Sequence, residues 1–73
     1  MTTTVAWRRL ERCILDGEPF TIEVLEIEGG HRVRVRFAEQ APIEDGERVW
    51  PTLEEARGRG YQLADEAVER TLR

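Results

Sequence analysis

Cys13 and His31 are the single cysteine and single histidine of the chain, and Arg32, Arg34 and Arg36 stand at strict two-residue spacing in "HRVRVRF". These are the residues whose chemistry must be weighed first. A thiol and an imidazole make a nucleophile–base pair when they meet within hydrogen-bond reach, usually with a third group orienting the base. Nothing in the spacing of Cys13 and His31 implies that meeting, and isolated cysteines and histidines are ordinarily structural. Serine and lysine are absent, which removes two nucleophile classes. A zinc site needs about four ligands, and cysteine and histidine together supply at most two here. The "GRG" at 58–60 has no strand-turn context for a phosphate loop. The chain therefore reads as non-enzymatic, with no catalytic residues, no cofactor and no metal.

The arginine stripe is the remaining chemistry. On a strand, alternate residues share one face, so Arg32, Arg34 and Arg36 would form a basic line. Such a line can meet phosphates or cover apolar neighbours with its alkyl stems. The neighbours decide between these. "PFTIEVLEIEGGHRVRVRFAE" reads as a hairpin whose two-residue turn is Gly29-Gly30. That turn sets Arg36 opposite Glu23, Arg34 opposite Leu25 and Arg32 opposite Ile27. Phe20, Ile22, Val24, Val33, Val35 and Phe37 fall on the other face, as core. A nucleic-acid platform usually interleaves aromatics with its basic residues, and here the hairpin aromatics lie on the core side. The stripe reads better as a protein-contact face comprising Leu25, Ile27, Arg32, Arg34 and Arg36, and a homodimer through it is the expected assembly. Nucleic-acid binding through Arg32, Arg34 and Arg36, helped by Arg8, Arg9 and Arg12, is the alternative.

The elements that hold this face are legible in part. "PTLEEARGRGYQLADEAVERTLR" predicts a helix, with Thr52 as N-cap and Glu55 completing a capping box. Pro51 marks its boundary. Leu53, Ala56, Gly60, Leu63, Ala64, Ala67 and Val68 form one face at about 100° per residue. Glu55–Arg59, Glu66–Arg70 and Glu69–Arg73 are placed as i,i+4 pairs. Gly60 at the centre of the apolar face allows close approach to a sheet; Gly58 points outward without evident cause. Residues 5–15 suit a strand ending at the turn dipeptide Asp16-Gly17, or a helix stopped by Gly17; the strand is preferred. "APIEDGERVWP" reads as a loop and a short strand over 47–50. Trp50 would close the core, and Trp7 has no evident place. The prediction is an α+β domain, β-β-β-β-α: a three- to four-stranded antiparallel meander packed against one C-terminal helix.

Composition sets the outer bounds. The 73 residues allow one domain, residues 1–73, with a thin core that self-association would supplement. Charged residues make up 36% and hydrophobic residues 40%, as in a soluble globular domain. All 11 basic residues are arginine, which suggests the coding bias of a GC-rich bacterial genome. The net charge of −4 gives the whole molecule no attraction to a polyanion. A lone cysteine makes a reducing cytosol the default compartment. No run approaches the roughly 18 apolar residues of a membrane span, and no apolar leader is evident.

"FTIEVLEIEGGHRVRVRF" followed by "TLEEARGRGYQLADEAVE" resembles HicB-type antitoxins and related small bacterial ββ(β)α proteins of partial double-stranded-RNA-binding-like fold. The resemblance covers Phe20 to Glu69 and rests on a glycine-turn hairpin leading to a T-x-E-E-A helix start. It implies the hairpin-and-helix fold. "AEQAPIEDGERVW" departs from the Pro-Asp-Leu-Pro-Gly segment typical of those antitoxins, which bears on function more than on fold.

Overall fold

The computed structural model describes residues 6–71. Four antiparallel strands form one sheet in chain order: β1 Arg8–Leu15, β2 Glu18–Ile27, β3 Gly30–Phe37 and β4 Ile43–Glu44. One helix follows, α1 Leu53–Thr71. The expected β-β-β-β-α order holds, and Arg8–Leu15 is a strand. Its turn into β2 has Asp16 at φ 50° and Gly17 at φ 80°. Positive φ at both central residues is what a type I′ hairpin turn demands, and Asp-Gly tolerates it. Along β1 the register shifts between Arg9 and Glu11. Leu10 is the extra residue of this bulge, and it packs against the core.

The second hairpin differs from expectation by two residues. Ile27 pairs with Gly30, Val24 with Val33 and Phe20 with Phe37, so the turn is Glu28-Gly29. Gly29 takes φ 92°, the positive value that the third position of a type II turn requires. Gly30 is not a turn residue but the first of β3, and its φ of 151° is open only to glycine. The cause lies in the next segment. The His31 and Trp50 backbones exchange two hydrogen bonds, each 2.7 Å, and a Cβ on residue 30 would collide with the Trp50 carbonyl. Gly30 is therefore spent on close approach. A shift of two keeps every side chain on its face, so Phe20, Ile22, Val24, Val33, Val35 and Phe37 are all buried as predicted.

The short strand also moves. It is Ile43–Glu44, paired with Val35 and Arg34, while of residues 47–50 only Trp50 makes a bridge. Pairing at 43–44 is followed at once by a turn in which Gly46 has φ 63°. Asp45 anchors that turn. Its carboxylate accepts from the Trp50 indole Nε1 at 3.0 Å and from Arg59 Nε at 2.9 Å. One side chain, 7% exposed, thus ties β4, Trp50 and the helix together. Arg59 also reaches Glu66 at 3.1 Å, so the expected Glu55–Arg59 pair does not form. Glu55 engages the cap instead: its amide donates to Thr52 Oγ1, whose hydroxyl donates to the Glu55 carboxylate, both at 3.1 Å. Arg73, half of another expected pair, lies outside the described residues.

The helix lies across β2 and β3. Ala56, Gly60, Leu63, Ala64 and Val68 are buried, with Leu53 and Ala67 half-buried, the face that periodicity predicts. Small residues let the helix sit low, and Ile22 beneath Gly60 is wholly buried. A Cβ on Gly60 would stand 2.8 Å from Ile22 Cγ2, whereas one on Gly58 would meet nothing within 4 Å. The two glycines share one helix and one propensity cost but differ in surroundings. Gly58→Ala should stabilise by about 1 kcal/mol. Gly60→Ala should destabilise by about 1–2 kcal/mol, because overpacking outweighs the same propensity gain. Urea unfolding of both variants measures the difference; equal shifts in one direction would refute the close approach.

Candidate functional site

Since α1 covers one face of the sheet, the other face is open among the described residues. Residues directly opposite in antiparallel strands share a face, so the pairing assigns this one row by row. At one end Ile14 lies opposite Pro19, and Ile14 is 75% exposed. The next row is Arg12, Thr21 and Arg36. Then come Arg9, Glu23, Arg34 and Glu44. Leu25 and Arg32 follow, with Ile27 last. Arg8 pairs with Val24 and so belongs to the helix side.

The revised register changes every arginine's partner. Arg34, not Arg36, lies opposite Glu23 and bonds it at 2.6 Å, with the two side chains 15% and 16% exposed. Arg36 reaches the same carboxylate oxygen only at 3.5 Å. Arg32 lies opposite Leu25 and reaches across β3's other edge to Glu44 at 3.1 Å and the Gly46 carbonyl at 2.9 Å. Trp7, unplaced by sequence, belongs here. Its ring stacks on the Arg34 guanidinium at 4.3 Å and nears that of Arg32 at 5.8 Å. A ring face attracts a cation by about 0.5–2 kcal/mol and shields the Glu23–Arg34 pair from water. Leu25 and Ile27 are half-buried rather than open. The face thus carries five arginines (Arg9, Arg12, Arg32, Arg34 and Arg36) against Glu23 and Glu44.

No family model, curated protein or solved structure matches this chain.

Cys13 and His31 are far apart. Cys13 shares the row of Phe20 and Phe37, while His31 is six residues along β3 from Phe37, roughly 20 Å at strand rise. Cys13 instead joins a cluster on the helix side. The Tyr61 hydroxyl donates to Glu11 Oε2, Cys13 Sγ lies 3.2 Å from the same oxygen, and Arg57 donates to Glu11 Oε1 at 3.1 Å. This cluster fastens α1 to the edge strand β1. Hydrogen bonds from Tyr61, Cys13 and Arg57 hold the Glu11 carboxyl below its ordinary range. The Tyr61 hydroxyl is pushed up by donating to that carboxylate. Partial burial pushes the Cys13 thiol up, and a raised thiol is a poor nucleophile at neutral pH.

A depressed carboxyl pKa adds stability that is present above the unfolded value and lost as pH falls through the folded one. Stability should therefore decline as pH drops below about 4.5, the unfolded value, and Glu11→Gln should flatten that decline. Urea midpoints of both proteins between about pH 6 and pH 3 test the sign; parallel curves would show that Glu11 does not link folding to protons.

Proposed function

We propose that the protein is a small non-catalytic interaction domain whose open sheet face docks an acidic segment of a partner protein. One observation carries this reading: a molecule of net charge −4 gathers five arginines against two glutamates on the single face that no helix covers. Concentrated charge of one sign selects a partner of the other sign and suppresses like-charged ones. Trp7 adds a large amphipathic ring to that face, the residue type that most often anchors an interface. The non-catalytic reading is supported by the separation of Cys13 from His31 and by the engagement of Cys13, Tyr61 and Arg57 with Glu11.

The same charge disfavours a second copy as the occupant of this face. A two-fold interface sets the same patch against itself, and here that would bring one arginine-rich face against another. Leu25 and Ile27, the apolar residues such a homodimer would use, are already half-buried in a single chain. Among the described residues no helix is long and apolar enough to cross a membrane.

A nucleic-acid-binding or antitoxin-like regulator is the second reading. Trp7 stacked among Arg32 and Arg34 favours it, because bases stack on such rings. The overall negative charge opposes it.

Titration of the full chain at low salt, with a glutamate-rich peptide in one arm and single-stranded DNA and RNA in the other, separates these readings. The expected result is peptide binding that weakens as salt rises and falls about tenfold in Trp7→Ala and in Arg9→Glu. Tighter binding of an oligonucleotide than of the peptide would replace the proposal with the second reading. Binding of neither would overturn both, and a dimer by sedimentation equilibrium that Arg9→Glu abolishes would restore the homodimer.

A further inference from the structure

Within the open face the arginines are not equivalent. Arg34 is held by Glu23 and Trp7, and Arg32 by Glu44 and the Gly46 carbonyl. Arg36 has only the distant share of an oxygen already bonded to Arg34. Arg12 has no ion-pair partner among the described residues. Arg12 and Arg36 flank Thr21 in one row, on strands to either side of it, and all three line a notch of about 500 Å³. Two strand spacings separate the arginine backbones, about 9.6 Å, so two long guanidinium arms can close over the short hydroxyl between them.

We propose that this notch is an oxyanion subsite: the Arg12 and Arg36 guanidiniums and the Thr21 hydroxyl donate to one carboxylate or phosphate group. Guanidinium forks match the paired oxygens of either group, and these donors are the ones that internal partners leave free. Pro19 and Ala38 also line the notch, giving the stem of a bound acidic group an apolar wall. Glu39 stands on the rim, in a turn where it takes φ 61°. Its carboxylate repels the ligand, while Glu23, 3.5 Å from Arg36, is already bonded to Arg34. The subsite rests on the docking reading above, since it names the group by which an acidic segment would be anchored.

The test uses the full ¹⁵N-labelled chain and follows arginine side-chain Nε–H signals by NMR, with Arg34 as internal control. The probes are inorganic phosphate, a glutamate-rich peptide, and the same peptide carrying one phosphoserine. Saturable shifts at Arg12, Arg36 and the Thr21 amide, with Arg34 unmoved, are expected with all three. The two peptides distinguish carboxylate from phosphate as the preferred group. Arg12→Gln and Arg36→Gln should each weaken the phosphate response by about tenfold, the worth of a charge-assisted hydrogen bond. Glu39→Gln should strengthen it. These side chains are exposed, and the amide spectrum of each variant reports its fold directly. Shifts that never saturate, that spread evenly over all arginines, or that ignore Glu39→Gln would overturn the subsite. Peptide binding that survives both arginine substitutions would overturn the subsite and leave the docking face standing. Phosphate binding at Arg12 and Arg36 without any peptide binding would uphold the subsite and remove the docking reading.

Discussion

The carbonyl oxygen of Trp50 occupies the space that a side chain on residue 30 would need, and much of the molecule follows from that. Because Gly30 must lie beside Trp50, it belongs to β3 and not to the turn. The hairpin register is then fixed, and with it the pairing of Glu23 with Arg34. The two His31–Trp50 hydrogen bonds also hold the chain at the point where Pro51 and Thr52 start the helix. Asp45 completes the arrangement by taking the Trp50 indole and Arg59 on one carboxylate. Any other side chain at position 30 would therefore disturb the sheet edge, the helix start and the arginine face together.

What could be read from sequence was whatever a two-residue slip leaves unchanged. Val24, Val33, Val35 and their neighbours stay on the core face in either register, so the core was legible although the register was not. Asp16-Gly17 and the Thr52–Glu55 cap were legible because each is a local device of a few adjacent residues. The choice between Gly29 and Gly30 as turn centre was not local. It depends on Trp50, twenty positions away, and both glycines satisfy turn chemistry equally well. Trp7 was opaque for the same reason: its partner Arg34 is two strands distant. The Asp45 hub left one partial signal, since a Trp that closes a core needs an acceptor for its indole N–H, and Asp45 and Glu47 both stand within five residues before it, of which Asp45 is the one engaged.

The titratable groups divide by face. On the helix side, Glu11, Tyr61, Cys13 and Arg57 satisfy one another and bind an edge strand to a helix. On the open side, pairing is uneven: Glu23 and Glu44 engage some arginines and leave others unengaged. Fold support and the proposed recognition thus draw on the same residue type within one sheet. Arg34 behaves as an internal support and Arg12 as a surface group, although both sit on the same face.

This unevenness gives the protein an electrical polarity. Positive charge is concentrated on the bare side of the sheet while the molecule as a whole is negative, so the chain carries a dipole moment that its net charge conceals. In a solution of low ionic strength such a molecule turns before it touches, presenting its sheet to an approaching anion and its remaining surface to a cation. The turning torque fades once the separation exceeds the screening length, about 8–10 Å in physiological salt. Orientation, more than attraction, is then what ionic strength would regulate in its encounters.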